Sequence, residues 1–255
     1  MSSNRREQIL ELLRKNGTVM LKKLEQIFPD VSSMTLRRDI EYLESTGEAV
    51  KIKGGIRSVK SFGSADTEPI YAQRILQNSA EKEKIAAMAV NYVETRRSIF
   101  IDSGTTALSL AKKLPGTNLF IVTSSPHVAL EISKQSAPTV NLIGGLLNRN
   151  NASVSGLQSL EFVKDYNFDI AFMVASAFSA ESGFTCGSYS ECELKKLIVE
   201  KANLTIVMVD SSKFNHRMPF TFAGLDGIDI LITDTKPDEH ILSKAQEYGV
   251  TVRYE

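Results

Sequence analysis

Residues 31–55 read VSSMTLRRDIEYLESTGEAVKIKGG, which has the pattern of a capped helix followed by a hairpin. Ser32 or Ser33 is placed to cap the helix, because a serine hydroxyl accepts a hydrogen bond from a first-turn amide. The apolar residues of its buried face, spaced by three or four, are Leu36, Ile40 and Leu43. After the helix, apolar and polar residues alternate up to Gly54-Gly55, which predicts two short strands joined by a two-residue Gly-Gly turn.

Two more short helices are predicted upstream, over residues 5–14 and from Val19 to Phe28, from the spacing of their apolar residues. Three short helices followed by a hairpin form the winged helix-turn-helix pattern, which we assign to residues 1–59. The third helix and the hairpin expose hydroxyl and basic side chains that suit DNA phosphates and base edges. They are Ser33, Thr35, Arg37, Arg38, Lys51, Lys53 and Arg57. The alternative is a small helical subdomain without a DNA partner.

The charge of the chain is unevenly distributed, although the formal net charge is zero. Residues 1–60 contain twelve Lys and Arg against eight Asp and Glu, a balance of +4, which leaves −4 for residues 61–255. A small basic module on a larger, mildly acidic body favours nucleic-acid contact at one end.

The composition excludes several classes of protein. Hydrophobic residues make up 42% and charged residues 24% of the 255 residues, as in a globular rather than a disordered or fibrous protein. No apolar run reaches the roughly 20 residues of a membrane span, and the start, MSSNRREQIL, lacks the apolar core of a secretory signal. Two cysteines and three histidines argue against a disulfide framework or a structural metal site. We therefore expect a cytoplasmic protein with no membrane partner, no metal and no cofactor.

The rest of the chain alternates strand and helix patterns. Residues 60–78 are polar with little periodicity and predict a linker, and residues 79–255 predict a larger α/β domain. Continuous apolar strands between helices are typical of a mostly parallel sheet covered on both faces. The small, polar stretch 178–192 is interpreted either as a lid over the sheet edge or as a plain surface loop. Near its end, Glu191 and Glu193 are candidates to face sugar hydroxyls, or else are helix-start acids favoured by the helix dipole.

Four polar stretches follow predicted strands, at the edge where open α/β sheets bind ligands. They are residues 102–106 (DSGTT), 123–125 (TSS), 144–145 (GG) and 210–213 (DSSK). The first is typical of a phosphate cradle, because backbone amides and the dipole of the following helix attract an anion. The alternative for this stretch is an ordinary N-cap turn. Each of the other three alone is more typical of a plain turn, and their convergence favours a small anionic ligand. Lys213 is placed either to neutralise a phosphate or to pair with Asp102.

Taken together, these motifs resemble the DeoR family of bacterial transcriptional regulators over nearly the whole chain. The N-terminal match is residues 31–55, and the C-terminal match consists of IDSGTT, IGG, Ser155-Gly156, DSSKF and LITD in that order. The resemblance implies an α/β sensor domain, similar to the ribose-5-phosphate isomerase fold, that binds a phosphorylated sugar or a related metabolite. Binding would release operator DNA, so the expected function is a repressor of a sugar uptake or catabolic operon. A homodimer or homotetramer formed through the sensor domain is also implied.

The sequence motifs and the resemblance together assign residues to both sites. Those expected to contact DNA are Ser32, Ser33, Thr35, Leu36, Arg37, Arg38, Lys51, Lys53, Gly54 and Gly55. Those expected to line the effector pocket are Asp102, Ser103, Gly104, Thr105, Thr106, Thr123, Ser124, Gly144, Gly145, Arg149, Gly156, Glu193 and Lys213. No residue is assigned a catalytic role.

Two other functions are weighed against the repressor. One is a sugar-phosphate isomerase with an added DNA-binding domain. The resemblance implies that isomerases of this fold carry a Lys and a Glu around the Gly-Gly loop, where this chain has Asn141 and Asn150. Neither amide acts as a general base or as a cation, so this function is disfavoured. The other is a metabolite sensor that acts on a protein partner without DNA, and the basic helix and wing argue against it.

Overall fold

The computed structural model describes residues 2–16, 18–58 and 71–255, excluding the side chains of residues 2–4, 14–16, 57, 58 and 72. The chain divides into two compact units, Met1–Thr67 and Glu68–Glu255. Of the predicted linker 60–78, residues 60–70 lie outside the described residues, and a short helix occupies Tyr71–Leu76.

The first unit has the predicted helices and hairpin and one further strand. Its elements are α1 (Ser2–Asn16), β1 (Thr18–Met20), α2 (Leu21–Ile27), α3 (Ser33–Ser45), β2 (Ala49–Ile52) and β3 (Gly55–Ser58). The prediction of one helix from Val19 to Phe28 is wrong in its first part, because β1 pairs antiparallel with β3. Val19 is buried there opposite Ile56, so a position that fits a helix stripe instead completes a three-stranded sheet. The three helices pack over this sheet around a common core.

The hairpin turn lies one residue earlier than predicted. Ile52 pairs directly with Gly55, so Lys53 and Gly54 form the turn and Gly55 belongs to β3. Gly54 has a φ of +83°, which favours glycine. At Gly55 a Cβ would lie 2.5 Å from the Val19 carbonyl oxygen, so close packing of β1 against β3 requires glycine there.

The second unit is an α/β structure. Its helices are α4 (Tyr71–Leu76), α5 (Ser79–Ala89), α6 (Thr105–Lys113), α7 (Pro126–Ile132), α8 (Leu157–Val163), α9 (Tyr189–Lys201) and α10 (Glu239–Glu247). Its strands are β4 (Ser98–Ile101), β5 (Phe120–Thr123), β6 (Thr139–Leu142), β7 (Leu146–Asn148), β8 (Ser153–Ser155), β9 (Phe168–Val174), β10 (Ala177–Ser179), β11 (Gly183–Cys186), β12 (Ala202–Met208), β13 (Phe220–Ala223), β14 (Ile230–Thr233) and β15 (Thr251–Tyr254).

A seven-stranded parallel sheet forms the centre of this unit, in the order β15-β14-β12-β9-β4-β5-β6. Along β4, Phe100 packs into one apolar cluster and its neighbours Ile99 and Ile101 into another. Successive side chains of a strand point to opposite faces, so the two clusters cover the two faces of the sheet. The prediction of a mostly parallel sheet covered on both faces is confirmed. None of the described helices is long and apolar enough to cross a lipid bilayer.

The stretch 178–192 is neither a lid nor a plain loop, and both interpretations are wrong. It contributes to β10 and β11, which form a second, antiparallel sheet with β13. Phe178 and Phe184 are fully buried and stack with ring centroids 4.4 Å apart. The aromatic pair belongs to the core, and Thr185 and Glu191 of the same stretch are buried as well, so much of this stretch is packed interior. The β7–β8 hairpin, which the sequence patterns do not predict, follows the Gly-Gly loop.

Candidate functional site

The start of α3 presents basic side chains next to a capped turn. The Ser32 hydroxyl accepts from the Thr35 amide at 3.3 Å, which makes Ser32 the N-cap residue. The Ser33 hydroxyl donates to Glu25 of α2 at 2.6 Å. Arg37 and Arg38 follow on the exposed side of the helix. The two arginines are therefore the accessible cations of this helix face, and the serines hold local contacts.

Two residues assigned to DNA contact lie in the interior of the unit. Leu36 is 0% exposed and packs into the core between the helices. Gly55 is also buried, against β1. Their positions give them packing roles. Gly54, Lys51 and Lys53 are exposed at the hairpin, and Lys51 forms an ion pair of 3.3 Å with Glu41.

Asp39 is a structural residue of this unit that the sequence reasoning missed. Its side chain is buried and accepts hydrogen bonds from Arg5 Nε at 2.6 Å and Arg6 Nε at 2.7 Å. Arg6 also lies 3.8 Å from the centroid of the Tyr42 ring. The signal was available, because Asp39 follows Leu36 by three residues and so falls on the apolar face of α3. A buried carboxylate there needs cationic partners, and it joins α3 to α1.

A cavity with an excess of positive charge opens where the central strands end, and we call it the basic cavity. It encloses about 440 Å³, counting the open solvent at its mouth. Its lining residues are Arg74, Gln77, Asn78, Lys82, Gly104, Thr105, Thr106, Val174, Ala175, Met208, Val209, Asp210 and Lys213. Four of the predicted effector residues meet here, namely Gly104, Thr105, Thr106 and Lys213.

The loop between β4 and α6 gives this cavity the N-terminus of a helix. Gly104 precedes α6 with a φ of +134°, and a Cβ there would lie 3.0 Å from Val174 Cγ2. Glycine is thus required both by backbone conformation and by close approach to β9. Thr105 and Thr106 begin α6, and both are largely buried at the cavity wall. The unpaired amides of a first helical turn are suited to hold an anion.

Three cations and one carboxylate line the basic cavity, which gives a balance of +2. They are Arg74, Lys82 and Lys213 against Asp210. Burial lowers the pKa of Lys82 below its usual value, and the Asp210 carboxylate opposes that shift. Sequence reasoning missed both Arg74 and Lys82. The segment around Arg74 has the polar composition of a linker. Lys82 lies near the start of a helix that has no capping box, so the sequence does not define where that helix begins.

A smaller cavity of about 240 Å³, again counting open solvent, adjoins the first, and we call it the polar cavity. Arg74, Val174 and Ala175 line both cavities. The remaining lining residues are Ser103, Asn151, Ser176, Glu191 and Lys195. Of these only Ser103 is among the residues assigned to the effector pocket. Glu191 is one of the two glutamates proposed from the sequence to face sugar hydroxyls.

Lys195 lies at the centre of a buried ion cluster. Its ammonium contacts the Asp102 carboxylate, lies 3.3 Å from Glu191 Oε1, and donates to the Val174 carbonyl at 2.9 Å. Asp102 therefore pairs with Lys195 and not with Lys213. Burial disfavours the charge of Lys195, but attraction to Asp102 and Glu191 outweighs it and raises the pKa of the lysine. Lys195 thus stays protonated at neutral pH.

The second and third predicted loops pack within the structure and line neither cavity. Thr123 and Ser124 are buried, and the Thr123 hydroxyl accepts from the Ser125 amide at 3.0 Å. The Gly144 carbonyl accepts from the Ser159 hydroxyl at 2.7 Å. Gly145 has a φ of +143°, and a Cβ there would collide with the same hydroxyl. The Gly-Gly loop is shaped by packing against α8.

Three further residues assigned to the effector pocket lie outside the linings of both cavities. Arg149 is exposed in the β7–β8 turn. Gly156 is the N-cap residue of α8 and has a φ of +110°. Glu193 pairs with Lys196, with 3.0 Å between Oε1 and Nζ. The side chains of Arg149 and Glu193 therefore contribute to neither the basic nor the polar cavity.

Comparison with known proteins identifies the family. Residues 5–62 match the DeoR-like helix-turn-helix domain, and residues 77–235 match the DeoR C terminal sensor domain. The chain belongs to the DeoR family of DNA-binding transcriptional regulators. The predicted resemblance and the predicted combination of a winged helix-turn-helix unit with an α/β sensor domain are confirmed.

Full-length relatives support the same assignment. The HTH-type transcriptional regulator GolR of Listeria innocua is 32% identical over 250 residues, which cover 98% of this chain and 97% of that protein. GlpR of Haloferax volcanii, also an HTH-type transcriptional regulator, is 33% identical over 253 residues, 99% of this chain and 97% of that protein. The putative aga operon transcriptional repressor of Escherichia coli O157:H7 is 30% identical over 252 residues, 98% and 93% of the two chains.

Among solved structures, ribose 5-phosphate isomerase A of Methanocaldococcus jannaschii aligns with a TM-score of 0.40 and 21% identity. The alignment covers 54% of this chain and 55% of that enzyme.

Proposed function

We propose that this regulator represses a sugar uptake or catabolic operon and leaves its operator when a phosphorylated sugar binds in the basic cavity. One observation carries the proposal: the basic cavity combines a helix N-terminus with a charge balance of +2. The Escherichia coli relative carries the name of a putative aga operon transcriptional repressor, which supports repression as the sign of regulation.

The phosphate is assigned to the end of the cavity formed by the start of α6. There the amides and hydroxyls of Thr105 and Thr106 supply donors, and Lys213 supplies charge. The hydroxyls of the sugar are assigned to the polar cavity, where Asn151 and Glu191 offer an amide and a carboxylate. A free sugar lacks the group that the first end recognises.

A thermal-shift screen of the full chain tests this assignment. Ribose 5-phosphate, fructose 1-phosphate and glycerol 3-phosphate are compared with ribose, fructose and glycerol. At 100 times its dissociation constant, a ligand stabilises the folded state by about 2.7 kcal/mol, which raises the melting temperature measurably. We expect a phosphorylated compound to shift the melt and its unphosphorylated partner to leave it unchanged. Equal shifts for both partners would remove the phosphate from the proposal.

Variants locate the site. Thr105→Ala and Lys213→Ala should lose the shift, whereas Lys164→Ala, on an exposed ion pair with Glu161, should keep it. If Thr105→Ala and Lys213→Ala respond as the wild type does, the ligand binds elsewhere.

Operator binding is assigned to the exposed face of α3 and to the hairpin. Arg37→Ala and Arg38→Ala should weaken operator affinity, by about 1–3 kcal/mol where the arginine contacts a base through both nitrogens. Filter binding at two salt concentrations measures the phosphate contacts, because affinity falls less steeply with salt when fewer DNA phosphates are neutralised. Unchanged affinity in both variants would remove α3 from the interface.

Two-fold half-sites require at least a dimer, so we also propose a homodimer or homotetramer.

The competing isomerase function is tested by turnover of ribose 5-phosphate. Aldose–ketose isomerisation needs a general base beside the sugar carbon. In the polar cavity Lys195 is held as a cation, and the two carboxylates that contact it are paired with that cation. We therefore propose a binding site without catalysis. Turnover that is lost in Lys195→Met would reverse this conclusion.

A further inference from the structure

The short helix α4 is the first described element after β3, and it contributes a cation to both cavities. Arg74 lines the basic cavity and the polar cavity, as do Val174 and Ala175. The helix also packs against α6, whose N-terminus forms the proposed phosphate site. The segment by which the chain enters this unit is thus part of the ligand site.

The start of α4 is anchored by packing. The Tyr71 ring stacks on His127 with centroids 4.6 Å apart and an angle of 6° between the rings. The Tyr71 amide donates to the Asn150 carbonyl at 2.9 Å. Tyr71 is buried, which raises the pKa of its phenol to about 12. Its hydroxyl has no hydrogen-bond partner among the residues that the structure describes. The stacking on His127 is therefore the contact that positions the Tyr71 ring.

The end of α4 is anchored by groups of the basic cavity itself. The Lys82 ammonium donates to the carbonyls of Arg74, at 2.5 Å, and of Gln77, which satisfies carbonyls of the last helical turn. Asn78, with a φ of 51°, donates from its amide to Asp210 at 3.1 Å and to Ser212 at 2.9 Å. The groups that face the ligand and the groups that hold α4 are therefore largely the same.

A helix of six residues is not stable by itself in water, so α4 depends on these anchors. Without a ligand, Lys82 is attracted by Asp210 and repelled by Lys213 and Arg74, and all four side chains line one cavity. An anion among them removes that repulsion and attracts the Arg74 guanidinium. We propose that Arg74 makes α4 a ligand-ordered element: a bound anion attracts Arg74 and so fixes Tyr71–Leu76. The inference rests on the proposed function and concerns the regulation of the same cavity.

Hydrogen exchange of the full chain, with inorganic phosphate as the probe, tests the proposal. If α4 must open for phosphate to leave, phosphate at ten times its dissociation constant should slow exchange of the 75–77 amides, which donate within the helix, by about tenfold. The Thr105 and Thr106 amides should also be protected. In Arg74→Ala the protection at α4 should disappear while that at residues 105 and 106 persists at a higher phosphate concentration. Arg74→Lys should restore part of it, and the exposed control Arg217→Ala should behave as the wild type.

The outcomes separate the two proposals. Protection of residues 105 and 106 without protection of α4 overturns the inference and leaves the phosphate site intact. Protection of neither region overturns both. Full protection of α4 in Arg74→Ala shows that the arginine is not the link, and it also overturns the inference. Hydrogen exchange of α4 is also measured without phosphate in every variant, which shows whether the substitution alone unfolds the helix. If Arg74→Ala unfolds α4 in this way, protection of α4 by phosphate is judged from Arg74→Lys instead.

Discussion

Replacing Lys195 with methionine isolates the contribution of its charge, because methionine retains most of the packing volume. Lys195 and Asp102 are each 2% exposed and Glu191 is 7% exposed, so the substitution leaves two buried carboxylates without their cation. Removing one partner of a buried ion pair costs about 3–5 kcal/mol. For a domain of 150–250 residues each kcal/mol lowers the melting temperature by about 2–4 °C, so we expect a decrease of roughly 6–20 °C.

Tyrosine fluorescence of the intact chain measures this melting. The chain has no tryptophan, and six of its seven tyrosines follow residue 68, so the signal reports mainly the sensor unit. Lys164→Met is the matched control, because that lysine forms an exposed ion pair with Glu161, and it should leave the melt unchanged. The pKa of Lys195 is raised in the folded protein, so the contribution of its charge to the free energy of unfolding is complete below the usual pKa of lysine. That contribution is lost only as the pH rises through the higher pKa of the folded state. The difference between wild type and Lys195→Met should therefore be constant between pH 7 and pH 9.

A double-mutant cycle with Asp102→Asn tests whether the loss comes from the ion pair. Once the amide has replaced the carboxylate, the further substitution Lys195→Met should cost less than it does in the wild type, by about 0.5–3 kcal/mol. Two results would refute the reasoning from a buried, charged pair. One is a melting temperature lowered by less than about 2 °C in Lys195→Met, which corresponds to about 1 kcal/mol. The other is strict additivity of the two substitutions in the cycle.

Three further changes should have distinct results. Leu36→Ala should destabilise the first unit by about 2–5 kcal/mol, because Leu36 is fully buried. The helical circular dichroism signal should then be lost at a lower temperature than in the wild type. Unchanged stability with weakened operator binding would instead indicate that Leu36 contacts DNA. Gly104→Ala should strain the backbone and bring the new Cβ against Val174. Ribose 5-phosphate should then no longer raise the melting temperature in a thermal-shift assay. An unchanged rise in melting temperature would contradict the role of this turn. The Lys82 pKa, lowered chiefly by burial, should rise when an anion binds, so titration calorimetry should show ribose 5-phosphate affinity falling as the pH is raised from 7.5 towards the usual pKa of lysine. The phosphate group is already a dianion in this range. The fall should be absent in Lys82→Met, and an equal fall there assigns it to another group.

The sequence predicted those parts of the structure that repeat a local pattern. The apolar strands and helices of the central sheet and the capped helix α3 follow from residue spacing and capping chemistry. The strand β1 was missed because three residues are too few to distinguish a strand from the start of a helix. The Lys53-Gly54 turn was misplaced by one residue because the second glycine is needed for close packing against β1, a contact between segments distant in sequence.

The phosphate loop could be predicted because its strand, glycine and helix are consecutive. Arg74 and Lys82 could not, since a cation in a polar segment carries no local sign of the cavity that it faces. Lys195 left a weak signal, because it follows Glu191 by four residues on the same helix and Asp102 ends an apolar strand. A buried carboxylate at the end of a strand requires a partner, but residue spacing alone does not select one lysine from several.

The ion cluster also bears on ligand binding through one wall of the cavities. The Val174 carbonyl accepts from Lys195, and its amide donates to Asp102 at 3.0 Å, so the cluster holds this residue by both backbone groups. Val174 lines both cavities, and its side chain approaches Gly104 so closely that a Cβ there would lie 3.0 Å away. The turn that presents the helix N-terminus therefore rests on a wall fixed by buried charges. It follows that Lys195 should influence phosphate affinity without touching phosphate, and that this influence should persist at temperatures where Lys195→Met is still fully folded.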